Sequence, residues 1–421
     1  MKPPLYYLLM AIVLVLMSCS DKDEESTVVT PPPDPNPTPS ATSESKSEET
    51  TPPSNPNPDP SATDESKSET QDNTPSSNQS YTHQLVVDGI DIPWGMAFIS
   101  ENEFLVTEKS GTLYYVENEK KFSIGGLPLI YHIGQGGLLD IEVDPNFSEN
   151  QLIYFSLSFS PENENGGNTA LYSARIDLES KQLSNVKQLF RGKENTTREV
   201  HFGSRIAFDS EGYLYLTIGD RGQRDVNPQS LNRDGGKVHR FNRDGSIPGD
   251  NPFVNHENAN PSIFSYGHRN PQGMLLNPLT DDIWIHEHGP RGGDEINIIE
   301  AGNNYGWPKI TYGKNYNGST ITNLTHMDGM EQPLHHWTPS IAPSGFEMVT
   351  SERYGHWKNH FLVGSLKFSY LERLVIENNK VIATHRELNN IGRVRSIEQG
   401  LDGYIYVGVE SLGVVRIVPK E

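Results

Sequence analysis

The feature that most limits the fold of this chain is an alternation of apolar and polar residues with a period of two, which runs from residue 81 onward. This period is typical of β-strands, whose successive side chains point to opposite faces of a sheet. Clusters of Gly, Asp and Asn separate the alternating stretches, and no amphipathic stretch of helical length stands out. The pattern predicts an all-β domain with short strands at 103–107, 113–116, 153–157, 213–217, 283–285, 361–363 and 404–407.

One strand–turn–strand unit recurs within this region. The segment 206–215 (IAFDSEGYLY) has a distant counterpart at 397–406 (IEQGLDGYIY), and a weaker one begins at Trp94. Repetition of a short meander is typical of a β-propeller, which uses roughly 40–50 residues per blade. The 341 residues of 81–421, with long loops, therefore fit six blades. A β-sandwich or a pair of barrels is the alternative fold.

The N-terminus has the composition of a secretory signal. Lys2 precedes an apolar run from Leu5 to Met17, which is too short to span a bilayer comfortably, since a spanning helix needs about 20 residues. The run ends at Cys19, the single cysteine of the chain, and resembles a bacterial lipobox. We therefore expect a lipoprotein signal peptide at 1–18 and a lipid on Cys19. The alternative is an ordinary signal peptide with an incidental cysteine.

Residues 19–80 have the composition of a tether. They are rich in Pro, Ser, Thr and Glu, and the motif PNPTPSAT at 35–42 returns as PNPDPSAT at 56–63. Such a segment cannot bury enough apolar surface to offset its chain entropy, so we expect it to be disordered. The predicted arrangement is a lipid anchor in the bacterial cell envelope, a disordered linker, and a folded domain at 81–421. The exact membrane and face, periplasmic or surface-exposed, stay open.

Charge and cysteine content exclude several classes of site. The formal net charge is −21, and no Lys/Arg run or basic patch appears, which argues against nucleic acid as a partner. One cysteine cannot form an intrachain disulfide or a Cys-based zinc or iron–sulfur site.

Several motifs carry residues suited to chemistry on a polar substrate. His201 precedes Asp220 by 19 residues, and a histidine oriented by a carboxylate is a natural general base near neutral pH. The heptapeptide 267–273 (GHRNPQG) contains Arg269 and Asn270, a fixed cation beside an amide. Gly-rich segments surround Gln135 (GQGGLLD, 134–140) and occupy 288–295 (HGPRGGDE).

Together these motifs resemble those of the soluble PQQ-dependent glucose and aldose sugar dehydrogenases, and the resemblance covers 86–418 in order. It implies a six-bladed propeller that oxidises an aldose at C1 to the lactone, with pyrroloquinoline quinone (PQQ) and calcium as cofactors. The aldose is the expected partner, and the electron acceptor is unknown.

The resemblance also implies roles for individual residues. His201 would be the general base, assisted by Asp220 and Arg269. Calcium would be held by the main-chain carbonyls of Gly289 and Pro290, and a second, structural calcium would lie near Glu295 and Tyr305. The side chains expected to contact PQQ are Gln135, Arg269, Asn270, Ser340, Lys367, Arg393 and Arg395.

The chain departs from the family pattern in three places. Val200 stands where some members have an acid, which brings the chain closer to the aldose branch. Trp337 is offset by one position from the tryptophan expected against the cofactor, and Ser340 replaces a threonine. The segment between Trp307 and Trp337 is shorter than in the glucose branch, which predicts a more open cleft.

Two other functions are compatible with a propeller. A calcium-dependent hydrolase of the lactonase or esterase type would need metal-bound side chains that converge on the axis, and no obvious set of three is visible in the sequence. A non-catalytic propeller that binds glycans at the cell surface would leave the set of predicted cofactor cations without a purpose.

Overall fold

A computed structural model describes residues 79–420 and consists almost entirely of six four-stranded antiparallel sheets. The expected all-β, six-bladed propeller is therefore confirmed, and the sandwich and barrel alternatives are wrong. The strands are β1 (Tyr81–Val87), β2 (Pro93–Ser100), β3 (Glu103–Glu108), β4 (Thr112–Glu117), β5 (Lys120–Ile124), β6 (Leu138–Val143), β7 (Leu152–Phe159), β8 (Asn168–Asp177), β9 (Gln182–Arg191), β10 (Ile206–Phe208), β11 (Leu214–Ile218), β12 (Lys237–Phe241), β13 (Ile263–Tyr266), β14 (Pro271–Asn277), β15 (Asp282–Glu287), β16 (Asp294–Ile298), β17 (His335–Trp337), β18 (Pro343–Met348), β19 (Phe361–Ser365), β20 (Leu371–Glu377), β21 (Lys380–Glu387), β22 (Val394–Gln399), β23 (Ile405–Val409) and β24 (Gly413–Pro419).

Five blades are consecutive meanders and the sixth joins the two ends of the domain. Blades 1 to 5 are β2–β5, β6–β9, β10–β13, β14–β17 and β18–β21. In blade 6, β1 adds to the outer edge of β24, β23 and β22, with Tyr81 opposite Pro419. The ring is also joined at its centre, where Ser396 Oγ donates to the carbonyl of Pro93 at 2.8 Å between blades 6 and 1.

The innermost strands β2, β6, β10, β14, β18 and β22 contact one another in sequence around the axis. The repeats seen in the sequence occupy equivalent places: 206–215 forms β10 and enters β11 of blade 3, while 397–406 lies in β22 and β23 of blade 6. The weaker copy from Trp94 forms β2 and β3 of blade 1. The repeated sequence units therefore correspond to the innermost strand of a blade and the strand next to it.

The apolar core lies between neighbouring blades, because each sheet buries both faces against the next. Leu105, Ile141 and Phe155 pack between blades 1 and 2, and Trp284 of blade 4 stacks on Phe361 of blade 5 with ring centroids 4.9 Å apart. Burial of apolar surface contributes roughly 25 cal/mol per Å², so these interfaces supply most of the stabilisation.

Helical structure is confined to two short segments, α1 (Phe147–Asn150) and a 3₁₀ segment (Glu352–Trp357). Within residues 79–420, no helix has the length and apolar character that crossing a membrane requires. The predicted signal peptide, the lipidated Cys19 and nearly all of the predicted tether fall outside the described residues.

Candidate active site

The predicted site residues gather at one end of the propeller axis, and the blade geometry explains why. Gln135, His201, Asn270, Ser340 and Arg393 each lie within five residues before the start of an innermost strand, in five different blades. Because the innermost strands start at the same face, these residues meet there. The second strands of the blades end at that face, which brings in the predicted Asp220, Pro290 and Lys367 and, in addition, Lys109 and Glu410.

Two adjoining depressions open at this face. The larger is a cleft of about 1180 Å³ whose walls include most of the predicted cofactor contacts. The smaller is a pocket of about 320 Å³ lined by His201, Asp220 and Arg269. Pro290 and Tyr316 line both and form their common wall. The predicted residues on the larger cleft are Gln135, Asn270, Pro290, Ser340, Lys367, Arg393 and Arg395.

His201 and Asp220 form the expected dyad. Nδ1 of His201 lies 2.6 Å from Oδ1 of Asp220, and the second carboxylate oxygen accepts a hydrogen bond from Trp307 Nε1 at 2.9 Å. The carboxylate therefore fixes the ring orientation and the tautomer with the proton on Nδ1. Nε2 is left as the atom of His201 that can accept a proton in the smaller pocket.

The electrostatics of the dyad keep the imidazole neutral and the carboxylate charged. Burial and the nearby charge of Arg269 lower the pKa of His201 below 6.5, against the opposing effect of Asp220. Burial alone would raise the pKa of Asp220, but the hydrogen bonds from His201 and Trp307 and the charge of Arg269 bring it below its ordinary value. His201 is thus an unprotonated base at neutral pH.

The backbone around His201 is held in an unusual conformation. His201 has φ of 57°, a left-handed value that non-glycine residues rarely adopt. Its N–H donates to Oε1 of Gln135 at 2.8 Å, and Arg221 donates to the carbonyls of Arg198 and Val200. His201 is one of several non-glycine residues with positive φ, a conformation that is common at functional sites.

Arg269 and Asn270 lie side by side between the two depressions. Nη1 of Arg269 donates to the carbonyl of His288 at 2.9 Å, while its Nε is buried without a partner among the described residues. Asn270 uses its oxygen to accept from Gly203 N–H at 3.1 Å, which leaves its amide nitrogen for the cleft. A buried, unpartnered guanidinium nitrogen beside a cleft is the signature of a missing acceptor.

Cationic side chains dominate the larger cleft. Arg393 and Arg395 share one carboxylate, Glu410, with hydrogen bonds of 2.5–3.1 Å. Lys367 lies exposed in the cleft, and Lys109 donates to the carbonyl of Gly134 at 2.7 Å. Arg291 also lines the cleft, and because one carboxylate cannot neutralise five cations, the cleft is suited to an anion.

Of the predicted metal ligands, Pro290 lines both depressions, and Gly289 next to it lines a third, smaller void. The carbonyls of Gly289 and Pro290 accept no main-chain hydrogen bond within residues 79–420, and Gly289 N–H donates to Asp294 at 2.8 Å, which orders the turn. Carbonyl oxygens of this kind suit calcium.

The second predicted metal position is only partly consistent with the structure. Glu295 and Tyr305 line the same small void, of about 10 Å³, together with Glu287. Burial and the charge of Glu287 raise the pKa of Glu295 well above its ordinary value, so a cation there would be favourable. The hydroxyl of Tyr305, however, donates to Ile298 and accepts from Glu300, which excludes its side chain as a ligand and leaves its carbonyl.

Trp337 does not contact the cleft. It is buried in the core between blades 4 and 5, because β17 pairs it with Asp294 and turns its ring inward. Thr338 and Ser340 line the cleft in its place. The one-position offset noted in the sequence thus corresponds to a tryptophan that faces the core, since successive residues of a strand point to opposite faces.

Three site residues were missed by the sequence analysis: Lys109, Trp307 and Glu410. Glu410 could have been found, since β22 and β23 form a hairpin in which Val394 lies opposite Val409 and so Glu410 must lie near Arg393. Lys109 and Trp307 carry no such local signal, because they reach the site from blade 1 and from the long segment after β16.

Comparison with known proteins places this geometry in context. The sequence profile of the glucose/sorbosone dehydrogenase family matches residues 90–415. The aldose sugar dehydrogenase of Escherichia coli is 37% identical over 345 residues, which cover 80% of this chain and 92% of that protein.

Solved structures agree in fold. The apo form of the soluble aldose sugar dehydrogenase from E. coli superposes with a TM-score of 0.78 at 33% identity, covering 81% of this chain and 100% of that one. A PQQ-bound aldose sugar dehydrogenase from Streptomyces coelicolor gives a TM-score of 0.67 at 23% identity, covering 82% and 100%.

Proposed function

This chain belongs to the glucose/sorbosone dehydrogenase family, and from that premise we propose that it oxidises an aldose at C1 to the lactone with PQQ and calcium as cofactors. Membership makes it a sugar oxidoreductase. The cofactors, the base and the product are the proposed part.

The chemistry of the larger cleft fits PQQ, a flat molecule with three carboxylates. Lys367, Arg393 and Arg395 would bind the carboxylates, since charged hydrogen bonds of this type are strong and directional. Arg269 Nε, buried without a partner, would receive an acceptor from the same molecule. The PQQ-bound Streptomyces protein has the same fold. The amides of Gln135 and Asn270 and the hydroxyl of Ser340 complete the expected set of contacts.

Calcium fits at the wall shared by the two depressions. Gly289 and Pro290 would contribute their carbonyls, and further ligands would come from the cofactor. Within residues 79–420, no three His, Asp or Glu side chains are arranged to hold a metal by themselves. This favours a cation held jointly by main chain and cofactor over the side-chain metal centre that a hydrolase of this shape would need.

The mechanism assigns the proton to His201. Its Nε2 would accept the proton of the anomeric hydroxyl as C1 becomes the lactone carbonyl, and Asp220 would stabilise the resulting imidazolium. Arg269, beside the dyad, would stabilise negative charge that develops next to the sugar. When bound, PQQ supplies the acceptor for the C1 hydride, and calcium polarises the carbonyl that receives it.

The observation that carries this proposal is the His201–Asp220 hydrogen bond of 2.6 Å directly beside a cleft rich in unneutralised cations. A hydrolase would use the base but would have no reason for the cations. A glycan-binding module would use neither.

Titration of the purified protein with PQQ and calcium tests the proposal. We expect dye reduction that depends on both cofactors and on an aldose, with loss after chelation and recovery on adding calcium. Hydrolysis of a lactone or ester without quinone would instead identify a hydrolase. Absence of turnover together with absence of PQQ binding would leave a glycan-binding propeller.

We also propose that the protein is held in the bacterial cell envelope by a lipid on Cys19, outside the described residues. Membrane fractionation and labelling with a fatty-acid analogue, compared between the wild type and Cys19→Ala, test this. Release of the variant into the soluble fraction is expected, and equal membrane retention would exclude the anchor.

A further inference from the structure

The smaller pocket, where the proposed base lies, carries positive charge that the cofactor does not require. Besides His201, Asp220 and Arg269, its lining includes Arg198 and Arg224. We propose that these two arginines form an anion subsite and that the preferred substrates are aldoses bearing an acidic group, of which uronic acids are the simplest. This inference rests on the proposed sugar oxidation and names its substrate class.

Arg198 is free to bind a ligand. It is exposed, and within residues 79–420 its hydrogen bonds are made by the main chain: its N–H donates to Thr196 Oγ1 at 3.1 Å, and its carbonyl accepts from Arg221 at 3.0 Å. The latter bond ties the Arg198 backbone to the buried Arg221, and the start of its side chain packs beside Gly222. The base of the side chain is therefore fixed while its guanidinium remains available.

Arg224 is oriented but only weakly neutralised. Its Nη1 donates to Oδ1 of Asn315 at 2.7 Å, which connects blade 3 to the segment that carries Tyr316. Its contact with Asp225 is long, 3.3–3.5 Å, and the Asp225 side chain is 77% exposed. Exposed pairs of this kind contribute little, so most of the positive charge of Arg224 is available to a ligand.

The charge balance of the two depressions supports the same conclusion. Eight cationic side chains line them, against the three carboxylates of Asp220, Asp225 and Glu410. A tricarboxylate cofactor bound with Ca²⁺ would leave four positive charges in excess, although residues 81–421 as a whole are acidic. Within the smaller pocket, Arg198, Arg224 and Arg269 outnumber Asp220 and Asp225, so one positive charge remains in excess beside the substrate. Arg291, on the larger cleft, adds to the same rim.

The size of the pocket limits where the acidic group can be. A volume of about 320 Å³ is at the lower end for ligand pockets, so one sugar residue would contact most of the lining at once. With C1 at Nε2 of His201, a carboxylate elsewhere on the same ring would fall among the arginines. Arginine binds carboxylates through paired hydrogen bonds, which would add orientation to the attraction.

The test compares matched neutral and acidic sugars on the enzyme loaded with PQQ and calcium. We expect kcat/KM for glucuronate and galacturonate to exceed those for glucose and galactose by about tenfold at low ionic strength. The advantage should shrink toward unity at 0.5 M NaCl, because exposed charges are screened. Glucose 6-phosphate and glucose 6-sulfate, run in parallel, distinguish a carboxylate from another acidic group.

Arg198→Gln is the informative variant, with Arg175→Gln as its control. Arg175 is an exposed arginine that pairs with Leu152 at the end of blade 2 remote from the cleft. The ratio of acidic to neutral kcat/KM should fall about tenfold in Arg198→Gln and stay constant in Arg175→Gln. Equal use of acidic and neutral sugars by the wild type, or an unchanged ratio in Arg198→Gln, would overturn the inference. Failure of every sugar to reduce the dye would instead reject the proposed oxidation itself.

Discussion

The two ends of the propeller axis carry different ionisable groups. Where the innermost strands begin, cations from several blades surround the cleft. Near the other end of three of these strands, the next-to-last residues are Glu142, Glu347 and Glu398. Glu142 and Glu398 line a small void in the central channel, and Glu347 is their electrostatic neighbour. The same scaffold therefore presents a cationic surface at one end and closely spaced carboxyl groups at the other.

The physical state of the charges differs as well. At the cleft, one carboxylate holds two arginines and its pKa is lowered, against the effect of burial, by Arg395 and Arg393. In the channel, burial raises the pKa of Glu347 to about 7, and burial together with neighbouring carboxylates raises those of Glu142 and Glu398. Charge is thus maintained where a ligand would bind and suppressed where the blades must close.

Arg205 lies between the cleft and the channel. It donates to Asp140 at 2.8 Å, to the carbonyl of Gln272 at 2.8 Å and to that of Arg395 at 3.0 Å, and it stacks over Trp94. These bonds connect blades 2, 3, 4 and 6 just below the cleft. The comparison predicts that changes at the cleft alter activity and changes in the channel alter stability.

The largest expected effect is at the base. His201→Ala should lower kcat by about 10³-fold, since general-base catalysis typically contributes 10²–10⁴-fold. PQQ affinity should change little, because the cations of the larger cleft are retained. Stopped-flow dye reduction and a PQQ titration measure the two quantities. Near wild-type turnover would show that another residue is the base and would contradict the proposal that catalysis takes place beside the cleft.

The pH dependence of activity should report the same dyad. Because the pKa of His201 lies below 6.5, kcat/KM should be constant above neutrality and fall about tenfold per pH unit on the acid side of that pKa. Trp307→Phe removes a donor from Asp220, so the carboxylate would stabilise the imidazolium more and move the acid limb to higher pH. If the acid limb of the pH profile stays at the same pH in Trp307→Phe, the group that titrates is not influenced by Asp220.

A smaller effect is expected from the cofactor cations. Lys367→Met should weaken PQQ binding by about tenfold or more, since a charge-assisted hydrogen bond contributes about 1.5–3 kcal/mol. Lys187→Met is the control, because its Nζ contacts the carbonyl of Asp244 at the outer edge of blade 2. An equal loss of PQQ affinity in both variants would indicate a general effect of net charge and would contradict a specific role of the cations at the cleft.

The smallest effect is expected in the channel. The folded protein retains a proton on Glu347 that the unfolded chain releases above 4.5, so stability should fall as pH rises from about 4.5 to about 7 and level off beyond. Glu142→Gln removes a second buried carboxyl group, whose own pKa is raised well above its ordinary value by burial, Asp140 and Glu347. The variant should recover on the order of 1 kcal/mol at pH 8, a shift in Tm of about 2 °C.

Thermal unfolding at pH 5 and pH 8 provides the measurement for Glu142→Gln, and the exposed Glu179→Gln serves as control. Activity should not follow the change in Tm. A wild-type Tm that is independent of pH, or a variant that loses both stability and turnover, would show that the channel and the cleft are not separate in function.

Much of this molecule was predictable from local sequence. The period of two predicted the strands. The repeated unit at 206–215 and 397–406 indicated blades, because each blade packs against its neighbours through a similar inner hairpin. The motifs around Gln135, His201, Arg269 and 288–290 were sufficient to name the candidate site, since each lies directly before an innermost strand or after a second one.

The tertiary structure alone decided how those residues are used. Glu410 as the shared partner of Arg393 and Arg395, Trp307 as a donor to Asp220, and the inward turn of Trp337 depend on register between strands and on contacts across blades. Sequence spacing specifies which face of a strand a residue occupies only when the register is known. The clustering of cations at one end of the axis and of carboxyl groups at the other likewise results from distant segments meeting, which no single segment encodes.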